Sequence, residues 1–180
     1  MTRDQLEHAI RAACDIAGDT ELWVFGSQAI LGEYPSAPEN LRSSIEVDVQ
    51  PKNCPEAADE IDGALGEASV FHATHGFYVH GLLIEPTAFP EGWQERAVPV
   101  RSPGTNDNTG WCLEAHDLAA GKLCAYREKD REFVRTLLVE DIISVVTLKA
   151  RIRDMTVAAD LQERLLDWID ITVEELKRTE

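Results

Sequence analysis

The sequence predicts an α+β fold, a mixed sheet with flanking helices followed by a helical C-terminal part. Three observations carry this. Short apolar runs with β-branched and aromatic residues recur through the first 100 residues, broken by proline and glycine. Residues 101–110 hold almost no apolar side chain. Beyond them no proline follows residue 103, and Leu, Ile, Val and Ala return at helical spacing.

In chain order, Thr2 and Gln5 form a capping-box pattern, and Leu6, Ile10, Ala13 and Ala17 repeat on one helical stripe until Gly18, which predicts a helix over residues 3–17. Residues 21–25 predict a strand that stops at Gly26-Ser27, after which Gln28 to Leu31 begin a second helix ending at Gly32. Residues 34–40 carry Pro35, Pro38 and Asn40 and predict a loop. Residues 45–49 alternate apolar and acidic side chains, the pattern of a half-buried strand, and stop before Pro51. Ala58, Ile61 and Leu65 form the apolar stripe of a helix within 55–67. Val70-Phe71 and residues 77–84 predict strands, Val98 and Val100 a further short one, and the stretch holding Pro86, Pro90 and Gly92 is irregular. Helices are expected over 114–126, 130–151 and 157–176, with a break near residues 139–141 where Glu140-Asp141 would cap the run from Ile142 to Leu148. The expected organisation is a core over residues 1–100, a linker or mobile loop over 101–112, and a helical part over 113–180 that completes the cleft.

Composition narrows the chemistry. The chain of 180 residues has a formal net charge of −16. Residues 1–100 carry 5 basic against 17 acidic groups, net −12, and residues 101–180 carry 12 against 16, net −4. Nucleic-acid binding through overall attraction needs the opposite sign, so any anionic partner has to be met locally. Four cysteines, at 14, 54, 112 and 124, are widely spaced and read as reduced thiols. The five histidines are unclustered as well, so a metal centre built from histidine or thiolate is not expected, whereas a carboxylate centre is open. No N-terminal signal pattern and no apolar run near ~20 residues occur, which gives the expectation of a cytoplasmic protein without a membrane partner.

The chemistry-bearing pattern couples Gly26-Ser27, at a strand-to-helix turn, with Glu46 and Asp48 two apart on the next expected strand. Side chains two apart on a strand share a face, so both carboxylates can approach one centre. Alone they repel. A magnesium ion would relieve that repulsion and bridge phosphate oxygens, while Gly26 permits close backbone approach and Ser27 can donate to phosphate. The bland counterpart is an edge strand with a solvated acidic face.

This pattern resembles the nucleotidyltransferase fold superfamily of DNA polymerase beta, in which a Gly-Ser motif precedes a strand bearing an acidic pair. Residues 42–48, Arg-Ser-Ser-Ile-Glu-Val-Asp, look like the Arg-x-Thr-x-Asp-hydrophobic-Asp segment of AbiEii-like and related small bacterial nucleotidyltransferases, often members of toxin–antitoxin or phage-defence systems. Glu46 stands where aspartate is commoner. A second resemblance, to a helix followed by Arg-x-Lys-Asp, maps onto Lys122, Ala125, Arg127, Lys129 and Asp130. It implies that Lys122 and Arg127 neutralise phosphate charge, with Asp130 either positioning Lys122 or capping a helix. The third carboxylate of the superfamily has its best local candidate in Glu85, with Glu67 behind it.

Other residues have plainer readings. Phe77-Tyr78, Trp93 and Trp111 are more readily packing groups than base-stacking ones. Residues 89–96 match a Leu-Pro-x-Gly-Trp-x-x-Arg-like stretch of structural character. The stripe Arg127, Lys129, Arg131 and Arg135 alternates with acids as a salt-laced helix does, with an RNA or phosphate surface as the sharper reading. His72, His75, His80 and His116 read as packing, surface or hydrogen-bonding residues rather than general bases.

The resulting expectation is Mg-dependent transfer of a nucleoside monophosphate from a nucleoside triphosphate to a hydroxyl of RNA, protein or a small molecule. The partner expected first is the nucleoside triphosphate; the resemblance adds a cognate toxin–antitoxin protein as one that it would imply, and the sequence leaves both that partner and the oligomeric state open. The alternative is a noncatalytic nucleotide-binding or protein-interaction module with the same fold. Phosphotransferase readings are weaker, because neither a Walker loop nor a protein-kinase motif set is present.

Overall fold

A computed structural model describes residues 1–85 and 88–178. The chain forms two compact units, one of residues 1–84 and 96–114, the other of residues 85–95 and 115–180. Pro86, within the expected irregular stretch, lies outside the described residues.

The first unit begins with α1 (Arg3–Ala17), whose Thr2 and Gln5 make the capping box the sequence predicts and whose Gly18 ends it in the left-handed region. It continues through β1 (Glu21–Phe25), the short α2 (Ile30–Glu33), β2 (Glu46–Pro51), α3 (Ala58–Leu65), α4 (Val70–His75), β3 (Tyr78–Gly81), β4 (Val98–Val100) and β5 (Thr109–Cys112). The strands form one mixed sheet in the order β3-β2-β1-β5-β4, with β1 antiparallel to β2 and parallel to β5. β2 runs parallel to β3, and β4 antiparallel to β5.

Register assigns two unlike faces. Leu22 and Val24 of β1, Val47 and Val49 of β2 and Val79 of β3 are buried together with Leu6, Ile10 and Ile61 from α1 and α3. Each such side chain contributes roughly 1.5–3 kcal/mol on leaving water. The fit is tight at Gly81, where a Cβ would stand 2.0 Å from the Ala58 carbonyl oxygen of α3. The opposite face carries Glu21 and Trp23 of β1, Glu46, Asp48 and Gln50 of β2, Tyr78 and His80 of β3, and Trp111 of β5, all only partly buried.

Two expectations change here. Val70-Phe71 opens α4, not a strand: the Ser69 hydroxyl accepts from the His72 amide at 3.1 Å, Gly76 closes the far end at φ 74, and Val70 stays 83% exposed. Local caps outweigh β propensity where no partner strand offers burial. The strand expected over 77–84 is β3 alone, after which the Ile84 amide donates to the Gln50 side-chain carbonyl at 2.6 Å.

Residues 101–112, expected as linker or mobile loop, contain a pinned turn and a strand. Thr105 is fully buried and its hydroxyl donates to the Asn108 carbonyl at 2.6 Å, while the Ser102 hydroxyl donates to Glu7 at 2.7 Å and Arg11 donates to the Gly104 carbonyl at 2.6 Å. Asn106 and Asp107 take positive φ of 55 and 60, as their short polar side chains allow. Thr109–Cys112 then enters the sheet between β1 and β4.

The second unit comprises residues 85–95, with all but the last residue of the short helix α5 (Trp93–Arg96), then α6 (Ala115–Ala125), α7 (Glu128–Val139), α8 (Val145–Arg153) and α9 (Ala159–Lys177). Leu118, Leu123, Val134, Leu137, Leu148, Ile152, Leu165 and Ile169 are fully buried. Asp117 is buried with its carboxylate 3.1 Å from Arg151. The expected break after Val139 is present, but the cap of α8 is Ser144, whose hydroxyl accepts from the Thr147 amide at 3.1 Å; Asp141 instead turns the chain at φ 53. Phe89 packs against Trp93 at 5.4 Å and fills the space over Gly121, which agrees with a structural role for residues 89–96.

Candidate metal centre

The turn after β1 is built around Gly26, at φ 70 and ψ −171. A Cβ there would lie 1.9 Å from the Asp48 carboxylate, so only glycine lets the carboxylate approach this turn. The antiparallel register sets Phe25 opposite Asp48 and brings the turn alongside β2. Ser27 opens a 3-10 turn, Ser27–Ala29, that runs into α2. Buried Gln28 donates to the Ser44 carbonyl at 3.0 Å, and the Ser44 hydroxyl accepts from the Glu46 amide at 3.2 Å, so the turn and the start of β2 are tied together. Arg42, the first residue of the resemblance segment, donates to the Ala37 carbonyl at 2.8 Å and shapes the loop before the strand.

Glu46 and Asp48 share the partly exposed face of β2, as alternation requires. β3 adds a third group to them. His80 pairs with Asp48 in the parallel ladder, and its Nδ1 lies 3.1 Å from Glu46 Oε1 and 3.4 Å from Asp48 Oδ1. One potential ligand atom from each of Glu46, Asp48 and His80 falls within 4.8 Å of the others. All three side chains keep some solvent contact, from 22% for Asp48 to 41% for His80. Tyr78, facing Glu46 across the strands, has its phenol pushed up by burial and by the charges of Glu46 and Glu67.

The histidine is the member that sequence reasoning missed. The sequence suggests a packing, surface or hydrogen-bonding role for His80 and does not lead one to expect a metal centre containing histidine. The signal that could have found it is its phase: two residues after Tyr78 on a strand, it follows the same face, but only the parallel pairing with β2 reveals what it faces. Glu85, the sequence candidate for a third carboxylate, is exposed, lies four residues beyond β3 and is not a member of this cluster.

Along the same face, Trp23 and Trp111 lie 6.4 Å apart with the Lys52 ammonium 5.2 and 4.8 Å from their ring centres. Glu21 accepts from Lys52 at 2.9 Å and from the Trp111 indole at 2.8 Å, and these hydrogen bonds hold its carboxyl below the usual range. The polar edge of Trp111 is thus used within the fold.

In the second unit, Lys122 of α6 and Arg127 before α7 converge on buried Asp130. Lys122 Nζ stands 3.4 Å from one carboxylate oxygen and 4.7 Å from the Phe133 ring centre, and Arg127 Nε donates to the other oxygen at 2.6 Å. Burial pushes the Asp130 carboxyl up, but the hydrogen bonds and charges of Arg127 and Lys122 more than offset this and leave it lowered. Asp130 therefore holds Lys122 in place, while the Arg127 side chain keeps 60% of its surface exposed.

A mixed sheet that sets a Gly-Ser turn against a strand carboxylate, with a second carboxylate on the same strand face, is the class of architecture seen in nucleotidyltransferases. Residues 4–179 match the model of the family described as nucleotidyltransferase of unknown function (DUF6036), and the chain belongs to that family. No curated protein and no solved structure matches it. Among the described residues no helix is long and apolar enough to cross a membrane.

Proposed function

We propose that the chain transfers a nucleoside monophosphate from a nucleoside triphosphate to a hydroxyl of RNA, protein or a small molecule, with a divalent cation held at Glu46 and Asp48. The observation that carries this is the approach of the Asp48 carboxylate to the space a Cβ on Gly26 would fill, with Glu46 on the same strand face. A cation there, magnesium by the superfamily resemblance, would neutralise triphosphate charge and polarise the reacting phosphate. The acceptor oxygen attacks the α-phosphorus, a new P–O bond forms, the bond to the β-phosphate oxygen breaks, and pyrophosphate leaves as the hydroxyl proton passes to a base. Glu85 is the proposed base, Ser27 a phosphate donor, and Lys122 and Arg127 the groups assigned to triphosphate charge. The resemblance of residues 42–48 to the AbiEii-like pattern is what favours a place in a toxin–antitoxin or defence system with a cognate protein partner.

A second reading has its own support. Since the third member of the cluster is an imidazole and not a carboxylate, a module that binds nucleotide without transferring it also fits. Incubation of the protein with each α-labelled nucleoside triphosphate, a divalent cation, and tRNA or cell extract separates the two. Acceptor labelling that disappears in the Glu46→Ala, Asp48→Ala double variant supports transfer; metal-dependent triphosphate binding without labelling supports the noncatalytic module.

A further inference from the structure

The group that stands beside both Glu46 and Asp48 is an imidazole. Donors about 2.1 Å from one octahedral cation lie about 3.0–4.2 Å apart. His80 Nδ1 already stands 3.1 Å from Glu46 Oε1 and 3.4 Å from Asp48 Oδ1, so these separations need little rearrangement around a shared ion. The placement is built by the ladder: Glu46 pairs with Tyr78 and Asp48 with His80, which sets the imidazole beside both carboxylates. Nδ1 can donate only one proton, and two carboxylate oxygens compete for it. A cation satisfies all three donors together.

We propose that His80 ligates through nitrogen and makes the cluster a site for a first-row transition divalent cation in preference to magnesium. Oxygen-only sites suit magnesium, which gives up water reluctantly and gains little from imidazole. One nitrogen with two carboxylates moves preference toward manganese and the later metals, whose affinity for nitrogen donors rises along the series. The inference rests on Glu46 and Asp48 being cation ligands and names the metal class of that same site.

Manganese is the probe, with magnesium as competitor and no nucleotide present. Electron paramagnetic resonance counts bound manganese, and pulsed measurements read nitrogen-14 coupling from a ligating imidazole. The expected result is one bound manganese with nitrogen coupling and about tenfold or greater preference over magnesium. In His80→Asp, which keeps a third ligand, the coupling should vanish and the preference fall several-fold while magnesium still binds; His80→Ala should lose the coupling as well. Manganese bound without nitrogen coupling, or a preference unchanged in His80→Asp, overturns the role of His80 and leaves the proposed transfer standing. No cation binding in the unaltered protein overturns both. Nitrogen coupling without nucleotidyl transfer to any acceptor keeps the metal assignment and defeats the enzymatic reading.

Discussion

Gly26 and Asp48 set the finest constraint in the molecule, because one hydrogen in place of a methyl group decides where a carboxylate can stand. Gly26→Ala places a Cβ 1.9 Å from the Asp48 oxygen at a φ of 70. This φ and ψ, a backbone region that essentially only glycine occupies, costs about 1–3 kcal/mol with a side chain. The expected outcome is a lower melting temperature together with weakened manganese affinity, read by thermal unfolding and cation titration; unchanged affinity would show that the carboxylate position is not set by this turn. Asp130 makes a second residue-scale case. Its carboxyl is lowered in the folded state, so its stabilising contribution is full above its unfolded pKa of about 3.9 and is lost as pH falls through the lower folded value. Asp130→Asn should therefore unfold more readily at neutral pH, by about 3 kcal/mol. Its stability should also fall less steeply than that of the unaltered protein below about pH 4. Urea unfolding across pH checks both. Gly26, Ser27, Glu46 and Asp48 were legible in the sequence because a strand's period of two and a glycine turn are local facts. The pairing of Asp130 with Lys122 was one of two open readings, since only packing shows that the carboxyl is buried.

At the scale of elements, the site depends on how β2 and β3 are held, and α3 does the holding from the buried face. Gly81→Ala pushes a Cβ to 2.0 Å from the Ala58 carbonyl, so β3 and α3 must part. Overpacking of this kind costs about 1–3 kcal/mol. The variant should lose nitrogen coupling from His80 more readily than it loses its far-ultraviolet helical signal. A cap offers a cleaner comparison in the helical unit: Ser144→Ala removes the acceptor for the Thr147 amide and should cost about 1 kcal/mol in urea unfolding without altering cation binding. Strand β1, helix α1 and the long α9 were readable because their patterns are local and strongly periodic. Helix α4 was not: its Val-Phe pair favours strand, while Ser69 and Gly76 impose a single capped turn. Strand β5 was hidden by its polar approach, since residues 101–108 look like a linker until Thr105, Glu7 and Arg11 are seen to fasten them. His80 was lost for the same reason, as parallel pairing is a long-range property.

For the whole molecule, the net charge of −16 argues against capture of an acceptor by bulk attraction and in favour of local recognition. The family match over residues 4–179 spans both units, so the helical unit with Lys122 and Arg127 belongs to the same family unit as the sheet with Glu46 and Asp48. The central claim is that those two carboxylates hold the cation for nucleotidyl transfer. Its most direct measurement is acceptor labelling from α-labelled nucleoside triphosphates, supplied with manganese or magnesium and with tRNA or cell extract. The unaltered protein is compared with the Glu46→Ala, Asp48→Ala double variant, whose folding is verified by thermal unfolding. The expected result is cation-dependent labelling that falls at least about 100-fold in the folded double variant, the loss of roughly 2.7 kcal/mol of transition-state stabilisation. Equal labelling by both proteins, or none from the unaltered protein with any triphosphate and either cation, would contradict it.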